Sequence, residues 1–138
     1  MLEEFSFLDR NERIDYLIEY ADQFENVPDK IALRPYPEEQ RVMRCESQAY
    51  VWAKNNEDGT QKYYFAVENP QGISAKSFCA ILDNTISNAA LEEVLKISGD
   101  LVFDIYGRGI SMGKGEGLLG ILTSVQAFAR EAAHKNQP

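Results

Sequence analysis

Near the C-terminus, Leu118, Ile121, Leu122, Val125, Phe128, Ala129 and Ala132 recur at steps of three and four. That spacing gathers apolar side chains on one face of an α-helix. A helix with one apolar face has to bury it against a second layer, and the rest of the chain must supply that layer. The middle of the sequence offers one. Residues 48–53 and 62–67 are rich in Tyr, Val, Trp and Phe, and Asn55-Asn56-Glu57-Asp58-Gly59 between them has the chemistry of a tight reversal. Together they predict a β-hairpin.

The remaining elements follow from local signals. Asp9 stands three residues before Glu12, the spacing of a capped helix start, and Ile14, Leu17, Ile18, Ala21 and Phe24 then recur at helical steps. Pro28, Pro35 and Pro37 make residues 26–40 mostly loop. Ser74 is placed to cap a helix through residue 84 that buries Phe78, Ile81 and Leu82. A short helix is expected over 89–97, with Gly99 just past its end. Residues 101–106 alternate and predict a third strand, and the tail from 135 to 138 is expected to fray. The expected fold is α+β: a small, mainly antiparallel three-stranded sheet packed with helices. The 138 residues suit a single domain over 1–138, with no repeat, low-complexity tract or linker.

Charge and composition then exclude classes of function. The formal net charge of −8 opposes binding to phosphate backbones and to anionic membranes, so neither nucleic acid nor membrane is an expected partner. No stretch approaches the ~20 apolar residues of a membrane span. Met1-Leu2-Glu3-Glu4-Phe5 lacks the basic start and apolar run of a secretory signal, so a cytoplasmic location is expected. Two cysteines, Cys45 and Cys79, and one histidine, His134, are too few for a zinc site without carboxylates or for an ordinary iron–sulfur cluster. No cofactor and no metal ligand set is therefore expected. A structural disulfide is disfavoured in a reducing compartment.

The run from Gly107 to Gly117 resembles a phosphate cradle only superficially. A P-loop ending at Gly113-Lys114 needs glycine at 108 and Ser or Thr at 115, where Arg108 and Gly115 stand. The run is read as a flexible connection into the last helix. His134, in the final turn, reads as a solvated surface residue. Cys79 lies among Phe78 and Ile81 on a predicted buried helix, where apolar surroundings keep a thiol inert. Cys45 is different: it falls in a loop before the first strand, within Arg41-Val42-Met43-Arg44-Cys45-Glu46-Ser47. Arg41 and Arg44 favour its thiolate, and Glu46 works the other way. On the residues alone, a reactive Cys45 and a structural one stand level.

At this segment the sequence resembles the SufE family of sulfur acceptor proteins, whose signature stands here as Val42-Met43-Arg44-Cys45-Glu46-Ser47-Gln48-Ala49-Tyr50-Val51-Trp52. The resemblance also takes in the first helix, the helix after the hairpin, and the late loop Gly109-Ile110-Ser111-Met112-Gly113-Lys114-Gly115-Glu116-Gly117. Two positions depart. Arg44 replaces a frequent glycine, and Lys114 stands where an arginine is usual, which keeps the charge and loses the forked hydrogen bonding. The resemblance implies a fold like that of cluster scaffolds and a sulfur carrier that takes persulfide sulfur onto Cys45, with Arg44, Ser47 and Lys114 as supporting residues. It implies two partners, a cysteine desulfurase (a pyridoxal-phosphate enzyme) and an iron–sulfur cluster assembly scaffold. The role is sulfurtransferase-like: the carrier stimulates the desulfurase and has no turnover of its own. Such a carrier has to shelter its persulfide, and Tyr50, Trp52, Tyr63, Tyr64 and Phe65 are candidates for that shelter, with the loop at Lys114 as a cover. Two other readings stand beside it: a non-catalytic interaction module with structural cysteines, and a cluster scaffold, for which two cysteines are too few.

Overall fold

A computed structural model describes residues 8–43, 45 and 47–135. Helix α1 (Arg10–Gln23) starts at the expected place. The Asp9 carboxylate accepts from the Glu12 N–H at 2.8 Å, and the Glu12 carboxylate accepts from the Asp9 N–H at 3.4 Å, so two amides the helix cannot satisfy itself find partners. A proline-bearing stretch with one 3₁₀ turn (Glu38–Gln40) leads to strands β1 (Ala49–Asn55) and β2 (Gln61–Val67). Four helices follow: α2 (Ile73–Ile86), α3 (Leu91–Leu95), α4 (Asp100–Tyr106) and α5 (Met112–Lys135).

The strands form the expected antiparallel hairpin, in register from Ala49 opposite Val67 to Asn55 opposite Gln61. Its reversal is built by Gly59, at φ +89°, and by Asp58, whose carboxylate accepts from the Thr60 N–H at 3.0 Å and from its hydroxyl at 2.6 Å. The two-residue period sends Ala49, Val51, Tyr63, Phe65 and Val67 to one buried face. Helix α5 packs on β1 and α2 on β2, so two helices cover that face; α1 lies on α2, and α3 and α4 close against α5. The centre is apolar: Phe78, Leu82, Ile105, Ile121 and Val125 are fully buried.

Three expectations need correction. The sheet has two strands among the described residues, since 101–106 is helix α4. Val102 and Ile105 are the buried pair, three residues apart as a helix face requires, and the Ser98 hydroxyl accepts from the Asp100 N–H at 3.1 Å at its start. Among the described residues the outer edge of β1 gains an isolated bridge to Arg41. Secondly, Gly99 does not close α3; at φ −59° it precedes α4, and Gly107, at φ +87°, is the glycine that ends a helix. Thirdly, α5 starts at Met112, so Gly113, Gly115 and Gly117 are helical and the glycine-rich connection is confined to 107–111. Gly115 and Gly117 are buried there, and packing outweighs the poor helix propensity of glycine. A smaller shift concerns Ser74, which lies inside α2 while Gly72 holds the capping position without a side-chain bond. The tail beyond residue 135 lies outside the described residues.

Candidate functional site

The chain enters β1 through a tight return. The Arg41 backbone bridges to Tyr50, and the Val42 N–H donates to the Ala49 carbonyl at 2.8 Å. Between these feet, the Gln48 N–H donates to the Cys45 carbonyl at 3.2 Å, with Gln48 at φ +54° turning the chain back into the strand. The other side of the return is tied to the end of β2. Glu68 N–H donates to the Gln48 carbonyl at 3.1 Å and Asn69 N–H to the Ser47 carbonyl at 3.2 Å. Cys45 therefore rides on a loop held at both ends by backbone hydrogen bonds, the placement that suits a group which must be both fixed and presentable.

The Cys45 side chain is turned inward. It is 7% exposed and belongs to the buried cluster that also holds Val42, Val51, Tyr63, Phe65 and Cys79. Two residues before it, Met43 is 78% exposed. Cys79 on α2 is fully buried. Burial pushes its thiol well up, and the nearby charges of Cys45 and Asp83 add to the rise, so the two cysteines lie within electrostatic reach of each other. A cavity of about 300 Å³ between the segment after α1, β2 and α2 has Cys79, Tyr63 and the ion-paired Lys62 and Asp83 in its wall.

The aromatic residues expected around Cys45 divide by strand face. Tyr63 and Phe65 join the cluster that contains it. Tyr50 and Trp52 point to the outer face, where Tyr36 packs on both with ring centres 5.2 Å away. Strict alternation along β1 carries that division, since Ala49, Val51 and Ala53 take the inner positions. Tyr36 was not singled out by the sequence; its place between Pro35 and Pro37 gives no signal of a ring contact.

Of the supporting residues, Ser47 is set against Gly72 at the start of α2, while Arg44 lies outside the described residues. Arg41 is half-exposed and paired with Glu38 at 3.9 Å. Lys114 is exposed in the first turn of α5 and walls a groove of about 820 Å³ with Leu8, Arg13, Ile14 and Tyr106; Cys45 does not line that groove. Among the described residues no group of three or more His, Cys, Asp or Glu converges as metal ligands, and no helix is long and apolar enough to cross a membrane.

An α+β domain that carries a sheltered cysteine on the loop before its hairpin defines a class of small thiol proteins. The chain belongs to the SufE family, the Fe–S metabolism associated domain, whose model matches residues 1–129. That membership associates it with iron–sulfur metabolism. The fold is similar to that of a solved hypothetical protein from Thermus thermophilus, at a TM-score of 0.72 and 27% identity, over 96% of this chain and 93% of the other. No curated protein matches the chain.

Proposed function

We propose that the protein is a sulfur carrier that takes persulfide sulfur from a cysteine desulfurase onto Cys45, stimulates that enzyme by clearing its sulfur, and passes the sulfur on to an iron–sulfur cluster assembly scaffold in the cytoplasm. The observation that carries the reading is the position of Cys45: a cysteine tethered at both ends of a short loop, tucked into an apolar core and flanked by the exposed Met43. Family membership supports the metabolic setting.

The chemistry asks little of the protein beyond a thiol that can be sheltered and then offered. Cys45 gives up its proton, and its thiolate attacks the outer sulfur of the donor's persulfide. The donor's S–S bond breaks and its cysteine leaves as a thiolate, which takes up a proton, while a new S–S bond forms on Cys45. No electrons are gained or lost overall, so neither metal nor redox cofactor enters. Transfer requires the loop to turn Cys45 outward, and the return inward takes the outer sulfur into the apolar cluster that Cys45 joins, away from reductants and oxidants.

The test is mass spectrometry after incubation with a cysteine desulfurase, pyridoxal phosphate and cysteine, without reductant. The intact protein and Cys79→Ser should gain one sulfur atom that dithiothreitol removes, and Cys45→Ser should gain none. Equal loss in both variants would defeat the assignment of Cys45 as carrier. The competing reading, an interaction module with structural cysteines, requires that desulfurase binding survive in Cys45→Ser and that no form of the protein take up sulfur.

A further inference from the structure

Glycine in the middle of a helix weakens it, so a mid-helix glycine calls for a reason in packing or function. Gly120 stands well inside α5. A Cβ built there would lie 2.9 Å from Val42 Cγ1 and 3.0 Å from the Met43 carbonyl oxygen. The helix backbone thus receives one leg of the Cys45 loop directly. The other leg has a matching seat. A Cβ at Gly72, before α2, would lie 3.0 Å from both Cβ and Oγ of Ser47 and from Val67 Cγ1. By contrast, a Cβ at Gly115, on the same helix as Gly120, would meet only Ile110 Cγ2 at 3.9 Å, an ordinary contact.

We infer that Gly120 and Gly72 are positioning residues for Cys45: two bare stretches of backbone, one inside α5 and one at the N-terminal cap of α2, that seat the two legs of its loop and hold the thiol in its inward state. The inference rests on Cys45 being the working thiol, and it names what sets the closed state of that site. Of the two seats, Gly120 is the stricter. Val42 can shift a methyl group, but the Met43 carbonyl is backbone and moves only with the loop. An added methyl at Gly120 therefore favours the helix on its own account and disfavours the docked loop, and those two effects can be read separately.

The experiment uses the full chain carrying Cys79→Ser, so that Cys45 is the single thiol, with labelling by a chromogenic aryl disulfide under native conditions. Gly120→Ala should raise the labelling rate by about tenfold or more while the thermal midpoint holds or rises. Adding Val42→Ala should not restore slow labelling, because the carbonyl contact remains. Gly72→Ala should accelerate labelling too, and Ser47→Gly in the same chain should reverse most of that, since it removes two of the three close atoms. Gly115→Ala should label like the parent. An unchanged rate in Gly120→Ala would overturn the inference. So would acceleration that tracks a fall in thermal midpoint, because that is general loosening. Labelling reports the loop and sulfur uptake reports the function: if Gly120→Ala labels fast but no form of the protein accepts sulfur, the seat stands and the carrier reading falls.

Discussion

At the scale of single residues, burial decides which groups can ionise. It pushes the Cys79 thiol well above its ordinary 9.0 and the Tyr63 phenol from 10.0 up to about 12. In each case the folded protein holds the proton more tightly than the unfolded chain does. The stability tied to these groups is therefore complete below their ordinary values and is lost as pH climbs: the Cys79 part from 9 upward, the Tyr63 part between 10 and about 12. Urea midpoints measured across that alkaline range should fall steadily. Tyr63→Phe should start lower by about 1 kcal/mol, since it removes the hydroxyl that donates to Gln61 Oε1 at 2.8 Å, and should then lose less than the parent above pH 10. An identical alkaline slope in the variant would show that Tyr63 does not carry this linkage.

Among the elements, the end of α4 offers the cleanest test. Gly107 sits at φ +87° and ψ 159°, a conformation open almost only to glycine, while its N–H donates to the Phe103 carbonyl at 2.8 Å. Among the described residues the space around it is open, with the Arg13 guanidinium at 3.8 Å from an added Cβ. Gly107→Ala should thus cost about 1–3 kcal/mol through backbone strain alone, and Gly109→Ala, which meets nothing within 4 Å among the described residues at an ordinary φ, should cost little. Urea unfolding of the two variants checks the contrast. The same segment marks where the sequence was hard to read. The run Leu101-Val102-Phe103-Asp104-Ile105-Tyr106 suits a strand and a short helix alike, and its two buried residues, Val102 and Ile105, emerge only from packing against α5. The capping box of α1, the Asp-Gly reversal of the hairpin and the stripe of α5 were legible because each rests on contacts close in sequence. The helical start of α5 was not, since Gly113, Gly115 and Gly117 are poor helix formers and the burial of Gly115 and Gly117 that outweighs this is tertiary.

At the scale of the molecule, the candidate site follows the same division. Cys45 was legible as a loop thiol, and its family motif marked it further, but its inward turn and its seats on Gly72 and Gly120 depend on residues far away in the chain. The two cysteines then differ in how much of the molecule must open to reach them. Cys79 is fully buried on α2, in the wall of the cavity between the segment after α1, β2 and α2. Reaching it means parting α2 from β2 and from the segment after α1, elements that carry part of the main core. Cys45 is held by a few backbone hydrogen bonds and the loop contacts at Gly72 and Gly120, so release of one short loop suffices. The denaturant dependence of an opening scales with the surface it exposes. Labelling of Cys45, measured in Cys79→Ser, should therefore be fast and nearly flat in low urea, whereas labelling of Cys79, measured in Cys45→Ser, should be slower and rise more steeply with urea. A Cys45 rate that shared the global slope would mean that the loop opens only with the whole fold, and a carrier built that way could not hand on sulfur without unfolding.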